Sequence, residues 1–353
     1  MTVLTAEPSS PVFHLRRPED LVALAPHLLG FQPRDSLVLV IVSGRAIVLT
    51  ARFDLAAVTA ARPGDWLEPV LELGLSRGGD RVLGLVYGGG EPLRQTWDRL
   101  GDWCQTMSRR QSHGSGDRTA FDTTLLSPGL GHWLDLCLVV DPETGQWWDA
   151  AGGGPGRPPP DDRARSWAAD CGLEPVRPSR EALGHDLAGP QGDLEDAMVA
   201  LWSQVVTGAV GPADPLAAAW ADPAGPWSPA DYLAAAVAVH DPKQRDRLWR
   251  GLTRANAGRQ VVFWRAVVGH VPQAYRVVPL AVLGLIAWVA GEGVLLSLCH
   301  QECRRLNPEA PVVPLLTTIC RSLAHPDAWE EILATLAGPS PDDEPDGGGA
   351  ETA

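Results

Sequence analysis

The chain has 353 residues and a formal net charge of -14, with 45% hydrophobic and 20% charged residues, a composition that suits folded domains and excludes a wholly disordered chain. Gly (37) and Pro (32) are abundant and Lys243 is the only lysine, so Arg carries nearly all the positive charge. An acid excess of this size repels nucleic-acid phosphates and anionic lipid, and the length calls for two cores, so we expect two domains, no nucleic acid and no membrane among the partners.

Residues 1–12 read as a disordered leader. They have neither a basic start nor an apolar segment, and so are not expected to be a signal peptide. Helical spacing then begins at Pro18 (Leu21, Leu24, Ala25, Leu28) and stops where Gly30 offers a left-handed cap. The run Ser36 to Val42 is apolar on both faces, as a central strand requires, and Ser43-Gly44 predicts a turn into a second strand, Arg45 to Asp54. There strict alternation places Ile47, Leu49, Ala51 and Phe53 on one face and Val48, Thr50, Arg52 and Asp54 on the other.

A helix near Asp65 to Ser76, a strand Arg81 to Tyr87 and a helix near Pro92 to Arg109 continue the alternation of a layered α/β sheet. Strands are predicted at Trp133 to Val140 and Gln146 to Ala150, joined by the turn Asp141 to Gly145. The Gly/Pro-rich stretch 152–160 is a loop, followed by a short helix from Asp161 to Cys171. From Asp193 onward every periodic segment is helical: near 193–207, 229–239, 242–254, 259–269, 273–290, 292–306, 311–323 and 326–337. Ser228-Pro229-Ala230-Asp231 is a capping box, and Asp241-Pro242 is another helix start. The expected fold is an α/β N-terminal sheet domain (13–190) followed by an all-α C-terminal helical domain (191–337). A disordered tail (338–353) carries Asp342, Asp343, Glu344, Asp346 and Glu351.

The longest apolar stretch, Val277 to Ala290, contains Pro279 and falls short of the roughly 20 residues of a membrane-spanning helix, so it reads as a buried core helix. The six cysteines (Cys104, Cys137, Cys171, Cys299, Cys303, Cys320) lie scattered in a long chain, which favours reduced thiols and a cytoplasmic location.

Four groupings bear on chemistry. Gly88-Gly89-Gly90 stands between a strand and a helix, but neither the dinucleotide nor the Walker spacing is present and Glu91 would repel a phosphate. Cys299, His300, Cys303, Cys320 and His325 are zinc-type residues, yet Cys299 and Cys303 lie at i, i+4 on an apolar stripe, where cysteine serves as a small core residue. Ser112 to Asp117 gathers hydroxyls, an imidazole and a carboxylate in one Gly-rich loop, whereas triads assemble across a fold. Arg52 with Asp54, joined by Arg16, Arg34 and Asp35 at the strand ends, is either a binding site or a solvated salt bridge.

The segments Leu15 to Leu21 (LRRPEDL), Pro26 to Val38 (PHLLGFQPRDSLV) and Ala51 to Leu55 (ARFDL) resemble the opening of an actinobacterial family catalogued as Domain of Unknown Function 4192. Pro178 to Leu183, the pair Arg245-Asp246 and Trp288 to Gly293 are similar to later segments of that family, so the resemblance runs from about Phe13 to Trp329. Two departures stand out: Ala151 to Pro158 replaces a Cys-Cys-Pro-x-Glu-Gly-like segment, and Glu292 replaces an Asp. The resemblance implies a fold extent and a cytoplasmic location but no activity, substrate or cofactor.

We therefore expect a non-catalytic interaction or regulatory protein with a protein partner, and neither a cofactor nor a metal. The alternative is an enzyme or small-ligand-binding protein with a polar pocket at the strand ends, for which Arg16, Asp35, Ser36, Arg52, Asp54 and Glu292 are the ligand-binding candidates.

Overall fold

The structure is a computed structural model that describes residues 13–44, 46–88, 136–149, 162–171, 175–185, 187–322 and 325–337. The expected leader, the acidic tail, the helix near 92–109, Gly89 and Gly90, the Ser112 to Asp117 loop and the 152–160 loop lie outside the described residues.

Helix α1 (Pro18–Leu29) begins where the Asp20 carboxylate accepts the backbone N–H groups of Arg16 and Arg17, at 2.7 and 3.1 Å. It ends at Gly30, whose φ of 79° is open to glycine and whose N–H reaches the Pro26 carbonyl. Strands β1 (Ser36–Ser43) and β2 (Ala46–Asp54) form an antiparallel pair, with Ser43 opposite Ala46, so the turn falls one residue later than expected. Helices α2 (Leu55–Ala60) and α3 (Pro63–Ser76) precede β3 (Arg81–Tyr87), which pairs antiparallel with β1 and parallel with β4 (Leu136–Val140). Strand β5 (Trp147–Asp149) closes a five-stranded sheet of order β2-β1-β3-β4-β5, reached through the turn in which the Gly145 N–H bonds to the Asp141 carbonyl. Helices α4 (Asp162–Asp170) and α5 (Arg180–His185) follow.

The central position of β1 explains why it is apolar on both faces. Val38, Val40 and Val42 pack with Leu85, Tyr87, Leu138 and Val140 against Leu21, Leu24, Leu28 and Leu29 of α1. Burial of each Leu of that helix contributes about 2 kcal/mol. On the opposite face Ile41 lies so close to the backbone of Gly74 and Gly79, at the end of α3, that no side chain fits between.

One expectation about facing is corrected. Ile41 pairs with Leu49 but Val42 pairs with Ile47, so Val48 is one residue too many and the strand bulges there. Ile47 therefore joins Val42 in the core beneath α1 instead of sharing the face of Leu49. From Leu49 to Asp54 the alternation is regular, and Arg52 and Asp54 do share a face, opposite Val38 and Ser36.

The described elements of the C-terminal half are helices: α6 (Asp193–Val206), α7 (Pro215–Ala221), α8 (Pro229–Ala238), α9 (Pro242–Gly251), α10 (Arg254–His270), α11 (Val277–Ala290), α12 (Gly293–Leu306), α13 (Val313–Ser322) and α14 (Ala328–Ala337). Ser228 caps α8 through a reciprocal pair with Asp231. Asn256 accepts the Thr253 N–H, which ends α9 at Gly251 and starts α10 three residues later, nearer the N-terminus than its periodicity suggested. The predicted helix 273–290 is likewise divided, a single 3-10 turn (Gln273–Tyr275) standing before α11. Every residue of α11 from Pro279 to Val289 is buried, as its uniform apolarity predicted.

The chain divides into two compact units, Met1–Ala188 with Gly291–Leu298, and Gly189–Ala290 with Cys299–Ala353. The first unit thus recruits the opening turns of α12, which the expected boundaries assigned wholly to the helical domain. The cause is packing: Val294 and Leu298 lie against the core beneath α1.

Candidate functional site

The polar grouping of the first unit is built on the end of the sheet where β1 begins and β2 finishes. Asp54, Ser36 and Tyr87 lie side by side in register across β2, β1 and β3, and Arg52, Val38 and Leu85 form the next row on the same face. The Arg52 Nε donates to the Ser36 hydroxyl at 2.9 Å, and Ser36 in turn donates to the Arg34 carbonyl at 2.6 Å. The Arg52 Nη2 meets the Asp54 carboxylate at 2.6 Å, and the guanidinium stands 5.9 Å from the centre of the Phe31 ring. The arginine side chain is only 12% exposed while that of Asp54 is 59% exposed, so this ion pair has one buried end and one wet end.

A second segment is tied to this end of the sheet by backbone pairing. Gln32 N–H donates to the Arg177 carbonyl and Arg177 N–H to the Gly30 carbonyl, at 2.8 and 2.9 Å. The chain then turns into α5, with the Ser179 hydroxyl accepting the Ala182 N–H. Arg180, the first residue of that helix, donates to the Ser297 hydroxyl at 3.3 Å. Burial, and then the positive charge of Arg52, lower the pKa of Arg180, while Asp54 and Glu181 act in the opposite sense. Hydrogen bonds from its own backbone N–H and from Ser179 hold Glu181 below the ordinary carboxylate range, and Arg180 and Arg52 add to this. Two guanidiniums therefore feel each other in a partly desolvated setting.

Two hydroxyls on this face have no partner among the described residues. Tyr87 is 0% exposed and its buried phenol is pushed far up in pKa, so it remains a neutral hydroxyl. Thr50, 1% exposed, is the next residue along β2 on the face of Arg52.

The structure brings Ser36, Arg52 and Asp54 into contact. Asp35 is adjacent but exposed; it takes a left-handed φ of 43° and its carbonyl accepts the Leu55 N–H that begins α2. Arg34 pairs instead with Glu143, in the turn before β5, at 2.6 Å. Arg16 is not part of the group: it is exposed beyond the start of α1, whose 12 residues separate it by roughly 18 Å from Phe31 at the other end. Glu292 is half-buried in the same unit and its carbonyl accepts the Leu296 N–H at the start of α12, the helix that carries Ser297. Sequence reasoning missed Phe31, Tyr87, Arg180 and Ser297 as members of the group. The signal for Arg180 was the Ser179-Arg180-Glu181 segment, and that for Tyr87 was its place at the end of the strand predicted from Arg81.

The zinc-type residues of the second unit are accounted for otherwise. Cys299 and Cys303 are buried, with the Cys303 thiol pushed up to about 12 first by burial and then by Glu302. His300 bonds to the Thr317 hydroxyl at 2.8 Å, and His325 pairs with Asp327 at 3.0 Å. Among the described residues no three His, Cys, Asp or Glu side chains gather as a metal site, and no helix is long and apolar enough to cross a membrane.

The molecule is thus a two-unit protein in which an α/β sheet unit carries a guanidinium–carboxylate–hydroxyl cluster and the described elements of the other unit are helices. It belongs to the family described as domain of unknown function (DUF4192), whose model matches residues 18–327. No curated protein and no solved structure matches the chain.

Proposed function

We propose that this chain is a non-catalytic, cytoplasmic regulatory protein whose sheet unit binds a small ligand beside Arg52 and whose ligand state is read by a protein partner. The supporting observation is the placement of Arg52: a largely buried guanidinium held between Ser36, Asp54 and Phe31, with Tyr87, whose hydroxyl has no partner among the described residues, in register beside Ser36. Guanidinium remains charged under all ordinary conditions and does not shuttle protons, so a cluster dominated by arginines is suited to recognition more than to acid–base chemistry. The net charge of -14 argues for a partner other than nucleic acid. Cys171, Cys303 and Cys320 form no disulfide among the described residues, in keeping with a reducing compartment.

Ligand-observed NMR with a chemically mixed set of small molecules tests the reading on the full chain. Binding is expected for some of them, with loss of that binding in Arg52→Ala and no conversion of the bound compounds over hours. Binders that ignore the substitution, or that are chemically converted, would refute it.

A further inference from the structure

We propose that the basic face of helix α9, in the helical unit, is a docking surface for the acidic tail of the same chain, residues 338–353. The inference is independent of the Arg52 site and goes beyond the function proposed for it.

The first observation is a concentration of positive charge in an acidic protein. Residues 243–259 hold six basic residues and one acidic one, in a chain whose net charge is -14. On α9 the side chains of Lys243, Arg247 and Arg250 fall at i, i+4 and i+7 and so share one stripe; all three residues are exposed, while Leu248 on the far side is buried. Arg245 is spent elsewhere, on the Val239 carbonyl at 2.9 Å. Arg247 reaches Asp214 at 3.4 Å in an exposed pair, and the side chains of Lys243 and Arg250 have no partner among the described residues. Little acid is at hand within the helix: Asp241, its cap, accepts the Lys243 backbone N–H at 3.0 Å, and Asp246 is the one acidic residue beyond it. Like charges one turn apart repel, and an anionic segment laid along the stripe relieves them.

The second observation selects the occupant, because the described chain ends beside this helix. Trp329, the second residue of α14, donates its indole N–H to the Leu252 carbonyl at 2.9 Å. Its ring meets that of Trp249 edge-on, 6.3 Å between centres, and Asp327 pairs with Arg254 at 3.6 Å. The start of α14 is thereby fixed at the end of α9. From Trp329 to Ala337 the helix carries the chain roughly 12 Å, and the residues from there to Asp342 span up to roughly 17 Å, enough to return to α9.

Charge and length both match. The tail has no basic residue, and four of its five acids fall in the run from Asp342 to Asp346. Extended, that run covers roughly 13 Å, close to the roughly 10 Å that separate Lys243 from Arg250 along the helix. Each exposed ion pair is weak alone, but a short tether holds the tail at an effective concentration of about a millimolar, so several weak pairs together suffice.

Zero-length carbodiimide crosslinking of the full chain, read by mass spectrometry, tests the proposal. Lys243 is the only lysine, so side-chain amine crosslinks report on this one stripe. Crosslinks within one molecule are expected between Lys243 and Asp342, Asp343, Glu344 or Asp346. They should fall at least about fivefold in salt of about 0.5 M, and likewise in the double variant Arg247→Gln, Arg250→Gln. A labelled peptide of residues 338–353 should bind a chain carrying Asp342→Asn, Asp343→Asn, Glu344→Gln and Asp346→Asn at least about tenfold more tightly than the unaltered chain, whose own tail competes. Lys243 crosslinks confined to acids before residue 338, crosslinks formed only between molecules, or equal peptide binding by the two chains would overturn the proposal. It also falls if the altered chain ignores the peptide and binds a single-stranded oligonucleotide instead, since the stripe would then serve nucleic acid.

Discussion

At the scale of single residues, the two orphan hydroxyls make the most direct prediction. A buried, unpartnered hydroxyl costs about 1–3 kcal/mol, so Tyr87→Phe and Thr50→Val should leave the ligand-free protein as stable as before or more stable by up to about 1 kcal/mol. Urea denaturation checks this, and a loss above about 2 kcal/mol would mean that each hydroxyl has a partner after all. The exposed end of the Arg52–Asp54 pair predicts the opposite asymmetry: Asp54→Asn should cost less than about 1 kcal/mol, whereas Arg52→Ala removes a packed stem and a hydrogen bond and should cost more. Arg52 and Asp54 were legible together because a period of two fixes which residues of a strand share a face. Arg180, Ser297 and Tyr87 were not, since each reaches the cluster through pairing or packing between segments far apart in the chain, and no local pattern records such a meeting.

Among the elements, the tightest approach lies between β1 and the end of α3. A Cβ on Gly79 would stand 2.7 Å from the Gly74 carbonyl oxygen, which is backbone and has little room to move. Gly79→Ala should therefore destabilise by about 1–3 kcal/mol, and Gly74→Ala, whose Cβ meets only the Ile41 side chain, by less. Comparison of the two variants in urea decides the matter; equal losses would argue against the backbone clash. The elements themselves were largely readable where periodicity was sustained, as in β1, α1 and α11. What escaped were the short helices α2, α5 and α7, with too few turns for a period to register, and the bulge at Val48, where a single unpaired residue reverses the facing of Ile47. Both failures have one origin: a repeat announces itself only over several of its own lengths.

For the molecule as a whole, acidity provides a test. Burial lowers the pKa of His240 and of His300 beneath the ordinary 6.5, with Arg245 and Arg304 adding to the effect. The unfolded chain takes up protons at these sites near pH 6.5 and the folded chain only at lower pH. Their contribution to stability is accordingly complete above 6.5 and is lost as the pH falls towards the folded values. Urea midpoints should drop between pH 7 and pH 5, and the double substitution His240→Gln, His300→Gln should flatten that slope; an unchanged slope would contradict the assignment. Glu302, lowered chiefly by its bond from Arg305, contributes in the same sense only at more acidic pH, below 4.5.

The recruitment of Gly291–Leu298 into the first unit bears on how the protein is made. During synthesis the sheet and α1 leave the ribosome early, yet the apolar surface that Val294 and Leu298 cover stays bare until more than a hundred further residues have been added. The part of the protein translated first is thus not complete until Leu298 has been added, after most of the second unit has been made. A nascent chain released at Ala188 would carry an uncovered hydrophobic face, the kind of surface that chaperones recognise and that aggregates seed upon.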